Sequence, residues 1–465
     1  MNGALPHTHT LAVYAGPDAE RDCVGHLHYA PGGVPLDFLY ADTWLARDDH
    51  FSLSPALAPE RLRSLGAAAR QQLLGDFLRC LLPSGEPLSV LANHLHRRRD
   101  DTIGLLQDTG FDTFGALRFG RPPEPLPNDP FGIDVLRPVS HSELSQRILD
   151  RDIQPLTLWD NKAHASLPGD RHKLAIHNID GRWSVLTADR IASTHLIKLG
   201  GVEAGCSSLT SNELLVMRLA AAAGVATAPV TLQRLEASPV LVVQRFDRQR
   251  RPRGDAIRRI HAINARQLLG LSADRPQPLP LDAVFAMLRE HAVDPAKELR
   301  ALLRWSLLQV FLARPSDASD LAFVVESGGK LRLAPAYALR SRLSFVEAGD
   351  ARLLPAHDAL EALKHAAGED AERLPAELSR MGLQLLKQLP ETAARVCLEG
   401  ADRAVIDTLA RGLETHIKQN LRARLRSPFQ ALLQKHNTLS KTSRQSVHLL
   451  EPAGITIDNR VTRSM

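Results

Sequence analysis

The chain has 465 residues, about three times the length of a typical domain, so one to three domains are expected. Hydrophobic residues make up 44% of the chain and charged residues 23%, which is ordinary for a soluble globular protein and argues against a mostly disordered or fibrous one. Lys and Arg number 57 against 52 Asp and Glu, and this net charge of +5 is by itself weak evidence for a nucleic-acid partner.

Hydropathy and cysteine usage exclude further classes of protein. No apolar run reaches the roughly 18 residues that a membrane-spanning helix needs, and residues 1–10 lack the features of a secretory signal. A cytoplasmic location without membrane attachment is therefore expected. The four cysteines are far apart and form no C-x-x-C pair, so neither a structural zinc site nor a disulfide framework is expected.

The first part of the chain alternates short apolar runs with turns. Residues 11–14 and 24–27 predict a strand pair, and residues 68–80 and 87–96 predict helices. The proline-rich stretch 121–130 permits neither a helix nor a central strand, which makes it the predicted domain boundary.

The middle of the chain has a mixed pattern of strands and helices. The predicted strands are 172–177, 183–187, 194–199, 230–235 and 240–246, with a helix at 209–223 that ends at Gly224. An apolar helix at 297–314, a hairpin at 321–333, helices over 355–426 and a partly disordered polar tail follow. Five strands with a helix after the third, then a helical lobe, is the order of elements in protein kinases.

Three segments carry residues suited to phosphate chemistry, and each has a structural alternative. The 166–173 loop can present backbone N–H groups and Lys173 to phosphates, or it simply opens a hairpin. Lys198 lies in an apolar strand, where it either grips phosphate oxygens from a cleft or guards a strand edge. Glu213 either pairs with Lys198 or completes a capping box with Thr210.

Two further segments are rich in charge. The acidic segment 315–323 could supply a proton acceptor or a metal ligand, although an Asp-containing turn is the simpler interpretation. The segment from Arg245 to Arg259 is strongly basic, which predicts either a patch for phosphate backbones or an acidic partner, or a solvated loop. No interleaved aromatic residues follow Phe246 in this segment, so base stacking is not indicated.

Taken in order, these segments resemble the HipA family of bacterial Ser/Thr kinases, the toxins of toxin–antitoxin pairs, from about residue 11 to about residue 425. The resemblance is carried by the order and spacing of several short motifs rather than by any single one. The main motifs are Leu81-Leu82-Pro83-Ser84-Gly85-Glu86, Gly110-Phe111-Asp112-Thr113-Phe114-Gly115, Asn212-Glu213, Arg245-Phe246-Asp247-Arg248 and Ala334-Pro335-Ala336-Tyr337.

The resemblance implies an α+β, two-lobed, protein-kinase-like fold with an N-terminal β-rich subdomain and a helical C-lobe. The implied divisions are an N-terminal subdomain at 1–120, a linker at 121–165, an N-lobe at 166–250, a C-lobe at 251–426 and a polar tail at 427–465. ATP is the implied cofactor, and no nicotinamide or flavin site is expected.

The resemblance also assigns roles to individual residues. Ser166 matches the autophosphorylated serine, and Gly169 and Lys173 match the phosphate-binding loop. Lys198 matches the phosphate-gripping lysine, with Glu213 as its possible partner in the ATP site. Val243 and Gln244 match the adenine hinge, and Asp317 matches the catalytic aspartate. Arg171 stands where the family has Gln. Ala322 and Ala338 stand where the family has its metal-binding Asn and Asp, and Asp320 could supply a displaced ligand. Because alanine offers Mg²⁺ no side-chain oxygen, weakened metal binding is predicted.

Three functions follow as hypotheses. The first is an active kinase toxin that uses Asp317 as its base and phosphorylates a protein of translation, notably an aminoacyl-tRNA synthetase. The second is a catalytically impaired relative that acts by binding nucleotide, a HipB-like helix-turn-helix antitoxin on operator DNA, or another partner. The third is a nucleic-acid-binding regulator that uses the Arg245–Arg259 segment. Family membership is favoured over the third, and impaired catalysis is favoured within the family.

Overall fold

A computed structural model describes residues 8–16, 22–120, 136–160, 162–163, 165–186, 191–200, 209–236, 239–250, 257–273, 278–314, 320–344 and 356–422. The predicted boundary at 121–130 and the predicted tail at 427–465 lie outside these residues. None of the helices among the described residues combines the length and the hydropathy that crossing a bilayer requires.

The described N-terminal part combines a four-stranded antiparallel sheet with helices. Its strands are β1 (His9–Tyr14), β2 (Cys23–Ala30), β3 (Val34–Tyr40) and β4 (Arg118–Gly120), in the order β3-β2-β1-β4. Its helices are α1 (Asp42–Leu45), α2 (Pro59–Ser64), α3 (Ala67–Arg79), α4 (Gly85–His94) and α5 (Thr102–Thr109). The strand pair and both longer helices predicted from the sequence are confirmed.

The next part is built on a sheet of six described strands, all antiparallel. These are β5 (Leu136–Pro138), β8 (Lys173–Ile179), β9 (Arg182–Leu186), β10 (His195–Leu199), β11 (Val230–Arg234) and β12 (Pro239–Gln244), with α6 (His141–Leu149), the short pair β6 (Leu158–Trp159) and β7 (Lys162–Ala163), and α7 (Leu209–Ala222) between them. The order in the sheet is β11-β12-β10-β8-β9-β5. The five predicted strands are confirmed, and β5 adds a sixth from the segment predicted to be a linker.

A helical lobe follows, with small sheets at its start. Its elements are β13 (Arg248–Arg250), β14 (Ile257–Arg259), β15 (Ala262–Asn264), α8 (Ala265–Leu269), α9 (Leu281–His291), α10 (Pro295–Phe311), β16 (Ala322–Val325), β17 (Leu331–Leu333), α11 (Ala356–Ala367), α12 (Leu374–Leu398) and α13 (403–422). One apolar core runs from the N-terminal sheet through α7 into α10 and α12, so these parts pack as one body. A second core lies under the six-stranded sheet.

Three arginines of the basic segment lie inside the protein. The side chains of Arg245, Arg248 and Arg259 are at most 6% exposed, and they surround two buried carboxylates, Asp112 and Asp247. A phosphate backbone cannot reach side chains at this depth, so the prediction that these three arginines form a nucleic-acid patch is wrong. The solvated-loop interpretation is wrong for the same three residues, because their charges are neutralised inside the protein.

Candidate functional site

A cleft of about 980 Å³ lies between the six-stranded sheet and the helical lobe. One wall is formed by residues 167–171 and by β10, and the opposite wall by Asp320 and residues 337–340. Residues 245–247, which follow β12, connect the two lobes along the cleft. A concave surface between two lobes, lined by apolar and charged side chains, is a common form of small-molecule site.

The cleft brings together most of the residues that the sequence singles out. The residues that line it include Gly169, Lys173, Lys198, Glu213, Val243, Gln244 and Asp320. Ser166 is not among the lining residues, and Asp317 lies outside the described part of the chain. Segments that are more than a hundred residues apart in sequence therefore converge on one concave surface, while the role of each residue stays a prediction.

Lys198 faces the cleft from the middle of the sheet. Its strand, β10, pairs with β12 on one side and β8 on the other, so the edge-strand alternative is wrong. The Lys198 ammonium donates to Glu213 Oε1 at 2.6 Å and to the carbonyl of Tyr337 at 2.7 Å. The predicted Lys198–Glu213 pair is thus confirmed, and the backbone of the helical lobe also binds this lysine.

Glu213 holds a second cation. The guanidinium of Arg171 donates to Glu213 Oε2 at 2.8 Å and also to the carbonyl of Leu199. Burial opposes ionisation of Glu213, but the charges of Lys198 and Arg171 outweigh it and lower the pKa of this carboxyl to about 2. Both carboxylate oxygens are therefore engaged by cations. The capping-box alternative is wrong, because Thr210 lies within α7 and is not its N-cap residue.

The 166–173 loop wraps around the amine of Lys173. The ammonium donates to the carbonyl of Pro168, and a Cβ added at Gly169 would lie 2.6 Å from Lys173 Nζ. Gly169 also has φ of 111°, which side chains rarely tolerate, so only glycine suits this position. Burial, together with the nearby charge of Lys198, lowers the pKa of Lys173 to about 7.

The N-terminal part holds this loop in place. Ser166 is fully buried, and its hydroxyl donates to the carbonyl of Leu81 at 2.6 Å. The backbone N–H of Ser84 donates to the carbonyl of Gly169 at 3.1 Å. Modification of Ser166 requires the loop to leave this position first, and its role as an autophosphorylation site stays a prediction.

The residues near the expected metal positions do not fit Mg²⁺. Ala322 and Ala338 bring no side-chain oxygen. Asp320, the possible replacement ligand, lies 2.7 Å from Arg314, and the same guanidinium donates to the carbonyl of Ala338 at 3.2 Å. A cation already sits against these oxygens, which disfavours a second one. Among the described residues, three potential ligands meet within 4.8 Å at Glu86, Asp152 and His172, which do not line the cleft.

Two further features of the cleft were not predicted from the sequence. Phe114, Phe246 and Tyr337 line it as a group of aromatic rings whose centroids lie 5.5–5.9 Å apart. Arg340 lines it beside Lys198 and contributes, after burial and Arg171, to lowering the pKa of that lysine. All three aromatic residues belong to the quoted motifs or directly adjoin them, but only the fold shows that they meet.

Two family models match this chain. Residues 165–417, more than half of the chain, match the model described as the HipA-like C-terminal domain, and residues 18–120 match the HipA N-terminal domain. A serine/threonine-protein kinase toxin HipA from Shewanella oneidensis is 28% identical over 252 residues, 54% of this chain and 54% of that protein. The matched region thus spans about half the length of that relative.

Two other proteins extend the similarity. The Y4mE protein of Sinorhizobium fredii is 29% identical over 320 residues, 67% of this chain and 73% of that protein. In the solved complex of HipA, HipB and operator DNA from Shewanella oneidensis, one chain matches with a TM-score of 0.68 at 22% identity, over 88% of this chain and 97% of that one. This likeness confirms the predicted fold class. The chain belongs to the HipA family, whose N-terminal and C-terminal domain models it matches in order.

Proposed function

We propose that this protein is a kinase-fold component of a toxin–antitoxin system that binds ATP in the cleft and transfers its phosphoryl group slowly or not at all. The observation that carries the proposal is the contrast within one site. The Lys198–Glu213 pair and the glycine loop are assembled, whereas the metal positions hold alanine and an arginine-bound aspartate.

The nucleotide-binding half of the proposal assigns roles to residues of both walls. Lys198 and Lys173 hold phosphate oxygens as point charges. Gly169 allows the backbone of the loop to approach the phosphates closely. Val243 and Gln244, at the end of β12, meet the adenine ring.

The proposal that phosphoryl transfer is impaired rests on the negative charge that a metal ion would have to neutralise. In phosphoryl transfer a bound metal bridges phosphate oxygens and neutralises the charge that develops as the group moves. Removing one well-placed electrostatic element commonly costs roughly 10²–10³ in rate. Loss of two side-chain ligands, with Arg314 bound to the aspartate that could replace them, is therefore expected to lower the rate severely.

An active kinase is the second candidate. It is favoured by the intact Lys198–Glu213 pair and by the relative from Shewanella oneidensis that is named a serine/threonine-protein kinase toxin. In that case Asp317 would accept the proton of the substrate hydroxyl, and the substrate would be a protein of translation.

A transfer assay separates the two candidates. Purified protein is incubated with γ-labelled ATP and Mg²⁺, and the Shewanella oneidensis toxin serves as the positive control. We expect self-labelling, and labelling of added translation proteins, to be at least about 10²-fold slower than in the control. Transfer at the rate of the control, abolished by Asp317→Ala, would instead establish the active kinase.

A partner is the remaining part of the proposal. The related solved structure contains HipA, HipB and operator DNA, so a HipB-like helix-turn-helix antitoxin is proposed as the partner of this chain, with DNA reached through the antitoxin in the cytoplasm. This route agrees with the burial of Arg245, Arg248 and Arg259.

The partner is tested by co-expression with the product of a neighbouring gene that encodes a small helix-turn-helix protein. We expect the two to co-purify and to retard operator DNA together, while the chain alone leaves the DNA unretarded at physiological salt. Retardation by the chain alone, weakening steeply with salt, would show that it binds nucleic acid directly.

A further inference from the structure

The carboxylates that line the cleft are largely committed to protein cations. Glu213 is bound by Lys198 and Arg171. Asp247 is bound by Arg245 and Arg248, at 2.7 Å and 2.9 Å. With Asp320 bound to Arg314, three of the lining carboxylates have a guanidinium or ammonium against them. These ion pairs weaken the attraction of this part of the cleft for a divalent cation.

The same cleft places cations on both walls. Lys173 and Lys198 lie on the sheet side, on neighbouring strands and directly opposite each other in the ladder. Arg340 lies on the side of the helical lobe, two residues after the alanine that stands where the family has an aspartate. A polyanion in the cleft would therefore meet positive charge from two sides, and guanidinium and ammonium groups both bind phosphate oxygens strongly.

We propose that the cleft binds a nucleoside triphosphate without a metal ion, and that Lys173, Lys198 and Arg340 supply the positive charge that Mg²⁺ supplies in metal-dependent kinases. This inference rests on the nucleotide binding proposed above and goes beyond it by naming the form of the ligand. It also explains how the cleft can be assembled for phosphates while its metal positions are not.

Proton uptake is a consequence of the position of Lys173. In the ligand-free cleft, the charges that face Lys173 are Lys198 on β10, Glu213 on α7, and Asp170 and Arg171 in its own loop. Burial and Lys198 keep the pKa of Lys173 near 7. A phosphate beside the amine favours the ammonium form, so binding above pH 7 takes up a proton. The affinity therefore falls as the pH rises from 7 towards the ordinary lysine pKa of 10.5.

Calorimetric titration of the full-length protein with ATP, once in EDTA and once with excess Mg²⁺, tests the inference. We expect ATP to bind in EDTA with a Kd no weaker than in Mg²⁺. Binding that is tenfold or more tighter with Mg²⁺ would overturn the inference and leave the proposed nucleotide binding standing. Failure of ATP to bind in either condition would overturn the proposed nucleotide binding itself.

A pair of arginine variants tests the location of the ligand. Arg340→Ala should weaken ATP binding in EDTA about tenfold or more, the usual effect of losing one charge-assisted contact. Arg332→Ala removes the same charge from β17, where Arg332 is 47% exposed, pairs with Glu326 and does not line the cleft. An equal loss of affinity in both variants would show a general charge effect and contradict the assignment.

The role of Lys173 is tested by measuring the proton uptake that accompanies ATP binding. Titrations at pH 8 in two buffers of different ionisation enthalpy should show uptake of most of one proton by the wild-type protein, and Lys173→Met should abolish this uptake while it weakens binding. Uptake that persists unchanged in Lys173→Met would place the titrating group elsewhere and remove Lys173 from the proposed site.

Discussion

Replacing Asp112 by alanine is expected to lower the free energy of unfolding by roughly 3–5 kcal/mol. The Asp112 carboxylate is fully buried, lies 2.8 Å from Arg248, 3.3 Å from Arg259 and 3.5 Å from Arg245, and also accepts from the backbone N–H of Ser193. Its removal leaves an excess of buried positive charge, which the pairing of Asp247 with Arg245 and Arg248 offsets in part. The expected result is a large drop in the melting temperature, measured by calorimetry.

The network around Asp112 also joins the parts of the molecule. Arg245 and Arg248 donate to the carbonyl of Thr113, Arg248 donates to the carbonyl of Gly115, and Asp247 accepts from the N–H of Gly115. These contacts tie the N-terminal part to the segment that follows β12. Asp112→Ala should therefore also expose the junction to limited proteolysis.

Two further variants separate the effect of losing the Asp112 charge from the effect of losing its side-chain volume. Asp100→Ala removes an exposed carboxylate that pairs with exposed Arg98 in the same part of the chain, and it should change the melting temperature little. Asp112→Asn keeps the shape of the side chain but not its charge, so it should show most of the loss seen for alanine. If Asp112→Ala and Asp100→Ala had equal effects, the network would be energetically neutral.

The dependence of the free energy of unfolding on pH, at acid pH, tests the ion pairs of Asp112 independently. Burial disfavours the charged form of Asp112, but three neighbouring arginines outweigh it and hold the pKa of this carboxyl below its ordinary value of 3.8. The folded-state pKa is therefore depressed, so this stabilisation is fully present above about pH 4 and is lost as the pH falls towards the folded-state pKa. The stability difference between wild type and Asp112→Asn should shrink below pH 4.

Five strands of the six-stranded sheet and helix α7 were predictable because their signals are local. The short apolar run in 195–199 and the Asp180-Gly181 turn, whose φ angles of 52° and 80° suit a tight hairpin, indicate strands without tertiary information. Strand β5 was not predictable, because three residues that end in proline carry no periodicity. It becomes a strand only by pairing with β9 at the edge of the sheet.

The burial and the partners of the charged residues were harder to predict, because the sequence does not distinguish a solvated charged residue from a buried one. Arg248 reads as part of a basic run, yet it is paired with a carboxylate that lies 136 residues earlier. Likewise, spacing alone could not decide between a central and an edge position for Lys198, and only the pairing of β10 on both sides settles it. Long-range pairing is the information that local patterns lack.

Restoring the two metal ligands should bring back metal-dependent transfer. The double variant Ala322→Asn with Ala338→Asp supplies the side-chain oxygens that the chain lacks at these positions. Because each well-placed electrostatic element contributes roughly 10²–10³ in rate, we expect Mg²⁺-dependent transfer from ATP to rise at least about 10²-fold over wild type. Adding Arg314→Gln should raise it further, since the guanidinium that binds Asp320 and the carbonyl of Ala338 is then removed.

The matched control changes the same two positions to leucine, which is close in size to Asn and Asp but has no oxygen. Ala322 is 3% exposed, so both double variants are expected to lose some stability, and their melting temperatures must be compared before their rates. A folded oxygen-bearing variant that binds ATP but transfers no faster than its leucine counterpart would show that missing metal ligands do not limit the reaction. In that case the barrier to catalysis would lie with the catalytic base or with the substrate, and not with the charge on the phosphates.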